Sequence, residues 1–380
     1  MKNIIIKKFG GTSLNDLNRV AHIVKSDVKK GYHVVVVVSA VSGFTDQMAF
    51  KAQQISDLNC QQELSEYDVL LSAGEQISCG LLAITLRSMG VNAKSWLAWQ
   101  LPIITDNYHS ASRIKEIKID RLQKSFSEGN AVAIIAGFQG VCNNRLTTLG
   151  RGGSDISAVA LAVAFNVKTC EIFTDVNGIY TADPKIVSQA RRLESISYDE
   201  MLEMSLSGAK ILHNRSVQIA MKHNIKLQVL STFQKAEGTA VLPNHDVLEK
   251  HLVTGITYST NEVFITFTDL TVHLLKKIAG EKIRIDMVNN TSLVISKCDV
   301  DRAKKLLGQS IHTINDNIAK ISIIGIGVVS NIEVMCCVLN VLERNKIEML
   351  AISTSEIRIS IIVKKEYAEV LLNDLHTSLT

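Results

Sequence analysis

The sequence is poor in the features that classify a protein most quickly. Its seven cysteines are scattered, with no CxxC or CxxH pair, which excludes the usual zinc spacings and a disulfide frame. They read as reduced core residues of a cytoplasmic protein. Only three prolines occur, so linkers must be found by other signs. No apolar run approaches the ~20 residues of a membrane span. The three consecutive isoleucines of "MKNIIIKKFGG" fall far short of a signal segment. Charge is nearly balanced: 41 Lys and Arg against 37 Asp and Glu leave +4, too little and too dispersed to suggest nucleic-acid binding. A P-loop is also missing, because GxxxxGK[ST] does not occur.

What is present is globular. Apolar residues make up 46% and charged residues 21% of 380, enough for two or three packed domains. Residues 1–235 alternate short apolar runs with helical patterns. The runs are "NIIIKKF" (3–9), "HVVVVVSA" (33–40), "AVAIIAGF" (131–138), "CEIFT" (170–174) and "IKLQVLS" (225–231). Short, β-branched and uninterrupted, they predict strands of a parallel sheet buried on both faces. The alternation predicts a three-layer αβα domain. Nearly every run ends in a polar, glycine-containing turn. Ligands of such sheets bind where strand C-termini gather, so the turns predict one shared site.

Residues 236–250 read as a linker. Beyond them the texture changes and a repeat appears over 251–380. "KIRIDMVNNTSLVIS" (282–296) aligns without a gap on "KIEMLAISTSEIRIS" (346–360). Each follows a strand and a helix and precedes another helix. That predicts two βαββαβ units, about 262–318 and 319–380, the second taking a strand from 251–259. The first has lost about six residues between its leading strand, "VFITFT", and its helix.

Five stretches carry candidate chemistry. In "KKFGGTS", Gly10 and Gly11 let backbone N–H groups approach an anion, a following helix N-terminus would add its dipole, and Lys8 would add a point charge. The bland alternative is a turn with a solvated lysine. "LSAGEQIS" places Glu75 at the start of an amphipathic helix, where first-turn capping would also explain it. In "LGRGGSD", Arg151 offers a planar fork for a carboxylate or phosphate. Asp155 there is explained equally by an N-cap, but the cap does not explain an arginine between glycines. "FTDVNGIYTADP" offers Thr174 and Asp175 to a ribose or base and Tyr180 to a ring, or is simply a long turn. In "SLSGAKILH", Lys210 follows Gly208 at an expected helix start, where a cation opposes the dipole.

Taken in order, these stretches resemble aspartokinase, of the amino-acid kinase superfamily. The matches are "KFGGTS" (8–13), "VVVVVSAVSGFTD" (34–46), "LSAGEQIS" (71–78), "TTLGRGGSD" (147–155), "EIFTDVNGIYTADP" (171–184), "ISYDEML" (196–202), "SGAKILH" (207–213) and "ISTSEIRIS" (352–360). The repeated C-terminal unit resembles paired ACT domains. The resemblance implies transfer of the γ-phosphoryl group of ATP, with Mg²⁺, to the side-chain carboxylate of L-aspartate. The product leads to lysine, threonine, methionine and diaminopimelate. By the same resemblance, Lys8 and Lys210 neutralise the phosphoryl group in flight and Asp155 holds them. Arg151 clamps the aspartate carboxylate, Glu75 takes the ammonium, and Ser39, Thr45 and Ser154 line the pocket. The segment Lys8, Phe9, Gly10, Gly11 and Ser13, with Thr174, Asp175, Tyr180, Lys185 and Lys210, holds the nucleotide. Ser353, Thr354, Ser355 and Glu356 meet a lysine or threonine effector. The metal's protein ligands stay unknown. A homodimer or homotetramer through the ACT domains is implied, with no nucleic acid and no membrane.

Three departures stand out. The family's "TADPR" reads "TADPK", so Lys185 keeps the charge and loses the bidentate fork. Its "AKxLHP" reads "AKILHN", which should matter only locally. The Pro-Gly loop expected after each ACT unit's first strand is absent from both copies. Feedback inhibition by lysine or threonine is therefore expected to be weak or absent, leaving the ACT pair as a dimerisation platform. Two other readings compete: a related kinase acting on an aspartate analogue, and a non-catalytic amino-acid-binding regulator. The second predicts eroded kinase motifs and well-kept ACT loops, the reverse of what the sequence has.

Overall fold

A computed structural model describes residues 3–58, 60–244, 252–281 and 283–380. The chain divides into two units. The first comprises residues 1–179, 192–202 and 210–248; the second comprises 180–191, 203–209 and 249–380.

The first unit is built from β1 (Ile4–Phe9), α1 (Leu17–Lys29), β2 (His33–Val38), α2 (Phe44–Gln53), α3 (Gln61–Ser88), β3 (Ala93–Trp96), β4 (Ile103–Thr105), β5 (Ile114–Ile117), α4 (Asp120–Ser127), β6 (Val132–Ala136), β7 (Gln139–Cys142), β8 (Arg145–Thr148), α5 (Gly153–Ala164) and β9 (Thr169–Thr174). After them come β10 (Ser195–Ser197), the first part of α6 (Tyr198–Leu206), α7 (Asn214–His223), β11 (Lys226–Ser231) and β12 (Thr239–Leu242). Eight strands form one sheet in the order β10-β12-β11-β9-β1-β2-β6-β3. Every pairing is parallel except β11 with β12. The five apolar runs predicted as buried strands are β1, β2, β6, β9 and β11. Val34 to Val38 are all fully buried, because helices cover both faces of β2. The even-numbered valines pack with α1 and α3, while α5 packs on β1, β2 and β9 from the other side. A smaller sheet, β5-β4-β7-β8, was not foreseen.

The alternation of β1 sorts two adjacent lysines onto opposite faces. Lys7 turns toward α1, where it pairs with Asp27 at 2.8 Å and with Glu171. Lys8 turns toward α5 and pairs with Asp155 at 2.7 Å.

The 28 residues of α3 have the length and apolar content of a membrane span, contrary to the sequence expectation that none approaches one. Half of that apolar window is buried inside the fold, where the helix packs on α1, α2, β3, β6 and β8. It carries buried Asp68, Ser72 and Glu75, as a core helix of a folded domain does.

The second unit contains β13 (Gly255–Ser259), β14 (Glu262–Phe267), α8 (Val272–Gly280), β15 (Ile285–Val288), β16 (Ser292–Ser296), α9 (Val300–Leu307), β17 (Ile311–Asn315), β18 (Ile318–Ile324), α10 (Ile332–Arg344), β19 (Ala351–Ser355), β20 (Arg358–Lys364) and α11 (Ala368–Leu379). They make two antiparallel four-stranded sheets, β13-β18-β20-β19 and β15-β16-β14-β17. Each has its own helix-covered core. The shortening of the first copy lies only partly where it was expected. The strand-to-helix loop spans 268–271 against 325–331, but α8 also has 9 residues where α10 has 13. Lys320 of β18 is buried between the sheets, 3.4 Å from Glu262 and beside Asp286. Within the expected linker 236–250, Thr239–Leu242 is strand β12, and 245–250 lie outside the described residues.

Candidate active site

The site grows out of the C-terminal end of β1 and the N-terminal end of α5. Gly152, with φ +69°, caps α5, so Asp155 is released from the capping role the bland reading gave it. Its carboxylate instead meets Lys8 at 2.7 Å; the contact is an ion pair by distance, without the angles of a hydrogen bond. Both groups line a cavity of about 720 Å³ in the first unit.

Ser39, Thr45, Glu75, Arg151 and Ser154 line the same cavity. The structure thus brings together seven of the residues singled out in the sequence, from strand β1, the loop after β2, helices α2 and α3, and the turn that leads into α5 with the first turn of that helix. Glu75 was expected in a first helical turn. It lies instead in the middle of α3, because the helix begins at Gln61. Gly74 does not break the helix. A Cβ there would stand 2.5 Å from the Ala40 Cβ and 2.6 Å from Phe44, so glycine lets α3 approach the loop after β2.

Glu75 is 3% exposed, and its Oε2 has no hydrogen-bond partner. Burial pushes its pKa up to about 7, against the lowering pull of the Ala40 backbone and the Lys8 charge. A buried carboxylate with an unused oxygen facing a cavity is a seat for a cation. Arg151, exposed on the same cavity, is a seat for an anion. One acidic and one basic seat suit a zwitterionic amino acid. Lys8 adds a cation where a third anionic group could sit.

Other sequence candidates fall elsewhere. Phe9 is a fully buried core residue stacked on Phe173 at 4.7 Å. The Gly10 N–H is spent on the Phe173 carbonyl at 3.1 Å and is not free for an anion. Gly11 serves close packing: a Cβ would lie 2.6 Å from the Ala40 carbonyl oxygen. Ser13 is fully buried, its hydroxyl 2.6 Å from that of Thr232. The helix that follows does not begin at this turn. A single 3₁₀ turn follows, and α1 is capped by the Asp16 side chain. Lys210 is not at a helix start either. Gly208, with φ +122°, closes α6, and α7 begins only at Asn214. The violated-dipole argument for Lys210 therefore falls away. The side chain is exposed and does not line the cavity.

Thr174 ends β9, and its hydroxyl donates to exposed Asp175 at 3.1 Å. Tyr180 and Lys185 belong to the second unit, where Lys185 is exposed. Ser353, Thr354 and Ser355 lie on β19, an edge strand, with Glu356 in the turn after it. The change from Pro to Asn at 214 is local, as expected: Asn214 opens α7, and its side chain accepts from the Arg215 N–H at 2.8 Å.

Sequence reasoning missed Asp46, Gln53, Tyr67, Ser110 and Phe138, which also line the cavity. Two signals were available. Asp46, Ala49, Phe50 and Gln53 recur at helical spacing along α2, as do Tyr67, Leu71 and Glu75 along α3. It also missed His213. A Cβ on Gly152 would stand 2.2 Å from the His213 Cβ, so this ring walls the Arg151 turn. Burial holds the His213 pKa below its usual value, outweighing the nearby Asp155.

The chain and its fold have clear relatives. Residues 3–231 match the amino acid kinase family, and residues 321–379 match an ACT domain. An aspartokinase of Rickettsia felis is 38% identical over 98% of this chain and 98% of its own length. An aspartate kinase of Pseudomonas putida is 36% identical over 99% and 97%. Escherichia coli aspartokinase III, solved with aspartate and ADP in its R-state, superposes with a TM-score of 0.83 at 26% identity, covering all of both chains. The same enzyme with lysine and aspartate, in its T-state, gives a TM-score of 0.75 at 25% identity.

Proposed function

Because this chain belongs to the amino acid kinase family, among its aspartokinases, we propose that it transfers the γ-phosphoryl group of ATP to the side-chain carboxylate of L-aspartate. The observation that carries the reading is the cavity itself: Glu75 with an unpartnered buried oxygen, Arg151, and the Lys8–Asp155 pair share one space. The Escherichia coli relative solved with aspartate and ADP supports it.

In this reading Glu75 takes the substrate ammonium and Arg151 its α-carboxylate. Ser39, Thr45 and Ser154 fill the remaining walls. The side-chain carboxylate is then left to face Lys8. One of its oxygens attacks the γ-phosphorus, the bond from that phosphorus to the β,γ-bridging oxygen breaks, and ADP leaves with the electron pair. The attacking oxygen is already ionised at neutral pH, so no general base is needed. Catalysis reduces to positioning and charge stabilisation. Lys8, held by Asp155, supplies the latter, with Lys210 proposed as a second cation. Thr174 and Asp175, at the end of β9, are the proposed nucleotide contacts of the first unit. Among the described residues no cluster of three or more His, Cys, Asp or Glu side chains could hold a metal. The Mg²⁺ is proposed to arrive with the nucleotide, whose phosphate oxygens are the hard donors it prefers. When bound, it would neutralise phosphate charge.

The finer proposals are a cytoplasmic enzyme at the head of lysine, threonine, methionine and diaminopimelate synthesis, and a homodimer or homotetramer through the ACT pair. Feedback is proposed to be weak, because both copies lack the Pro-Gly loop and the first copy is short in loop and helix. The test of function is hydroxylamine trapping of the acyl phosphate, with ATP and Mg²⁺, offering aspartate, glutamate and N-acetylglutamate in parallel. Trapped product from aspartate alone is expected. Product from another acceptor and none from aspartate would overturn the reading.

A further inference from the structure

Arg151 poses a problem of positioning. It is exposed, and it stands between Gly150 and Gly152, both at positive φ (+78° and +69°). A turn of this kind has little stiffness of its own. Something outside it must fix where the guanidinium points.

Two anchors reach the turn. On one side Arg215 donates to the carbonyls of Leu149 and, at 2.9 Å, of Ser112. On the other side stands Asp68 of α3, fully buried and absent from the cavity lining. Its carboxylate accepts from the Thr148 hydroxyl at 2.5 Å, from the Ser110 N–H at 3.0 and 3.2 Å, and pairs with His109 Nδ1 at 2.7 Å. Thr148 ends β8, two residues before Gly150. Ser110 is a non-glycine residue at φ +59°, a conformation that persists only when its surroundings enforce it. Its carbonyl oxygen would stand 3.1 Å from a Cβ on Gly150. The Ser112 N–H also donates to the Thr148 carbonyl at 2.9 Å. The loop around residue 110 and the end of β8 are therefore clamped on one carboxylate, just behind the turn that carries Arg151.

Asp68 lies seven residues before Glu75, two helical turns away on the same face of α3. One rigid rod thus holds Glu75 directly and the Arg151 turn indirectly. We propose that Asp68 is a positioning residue that sets the spacing between the ammonium seat and the carboxylate seat, and so selects an α-amino acid as acceptor. This rests on the proposed reading of the cavity as the aspartate site.

The test is a double-mutant cycle of Asp68→Asn with Arg151→Ala, assayed by hydroxamate formation. Asp68→Asn alone is expected to raise the KM for aspartate about tenfold, with kcat within about threefold and the KM for ATP unchanged. In the Arg151→Ala background the same substitution is expected to cost almost nothing, because its effect runs through that side chain. Should Asp68→Asn not fold, Thr148→Val removes one donor. It is expected to raise the KM for aspartate several-fold, with Thr148→Ser restoring it. Additive losses in the cycle, or a fall in kcat and ATP affinity alongside the aspartate KM, would overturn the assignment while leaving the function intact. A wild-type protein that makes no aspartyl hydroxamate would instead overturn the reading beneath it, and this inference with it.

Discussion

At the scale of single residues, Glu75 is the most informative group. Its pKa of about 7 is caused by burial, so the apo carboxylate is half protonated near neutrality. In its proposed role, facing the substrate ammonium, it must be ionised. The kcat/KM for aspartate is therefore expected to rise with pH and level off above about 7, and the rising limb should vanish in Glu75→Gln. That variant loses a charge-assisted contact, which predicts a KM higher by about 10- to 100-fold. Stability should move the opposite way. A raised carboxyl pKa means that the native state keeps a proton that the unfolded chain releases between 4.5 and about 7, so stability is lost as pH rises through that window. Glu75→Gln should remove that loss. A pH profile of kcat/KM identical in the variant and the wild type would contradict the role given to Glu75.

At the scale of elements, the close approach of α3 to the loop after β2 places Glu75 in the cavity. Gly74 makes that approach possible. Replacing a mid-helix glycine by alanine ordinarily stabilises by about 1 kcal/mol. Here the new methyl would meet Ala40 and Phe44 at 2.5 and 2.6 Å, and overpacking costs about 1–3 kcal/mol. Gly74→Ala is thus expected to lower the urea midpoint and weaken aspartate binding together; a midpoint at or above the wild type would show that the loop yields. The same element explains what could be read in advance. The five central strands were legible, because a strand buried on both faces must be an unbroken apolar run. The starts of helices were less so. Gly74 looked like a beginning because glycine usually interrupts, and Gly208 looked like one although it ends α6. The sheet β5-β4-β7-β8 was illegible: its strands are three or four residues long and mix polar with apolar positions. Asp68 was invisible for another reason. Its partners Ser110 and Thr148 lie 42 and 80 residues away, and only the fold brings them together.

At the scale of the whole molecule, the chain joins an aspartokinase catalytic unit to a pair of antiparallel four-stranded sheets. The sheet β13-β18-β20-β19 keeps "STSEIRIS" across β19 and β20, yet neither leading-strand loop has the Pro-Gly expected to hold an effector's backbone. Calorimetric titration with lysine and with threonine is expected to give no binding in the micromolar range; such binding by either would end the proposal of weak feedback. The central claim is narrower and more easily tested. Aspartyl hydroxamate formation should be measured with ATP and Mg²⁺ for the wild-type protein beside Lys8→Ala. Steady product from the wild type, reduced about 10²- to 10³-fold in folded Lys8→Ala, is the predicted result, since Lys8 is the cavity cation assigned to the transferring phosphoryl group. No product from folded, ATP-binding wild type, or equal rates for the two proteins, would contradict the account.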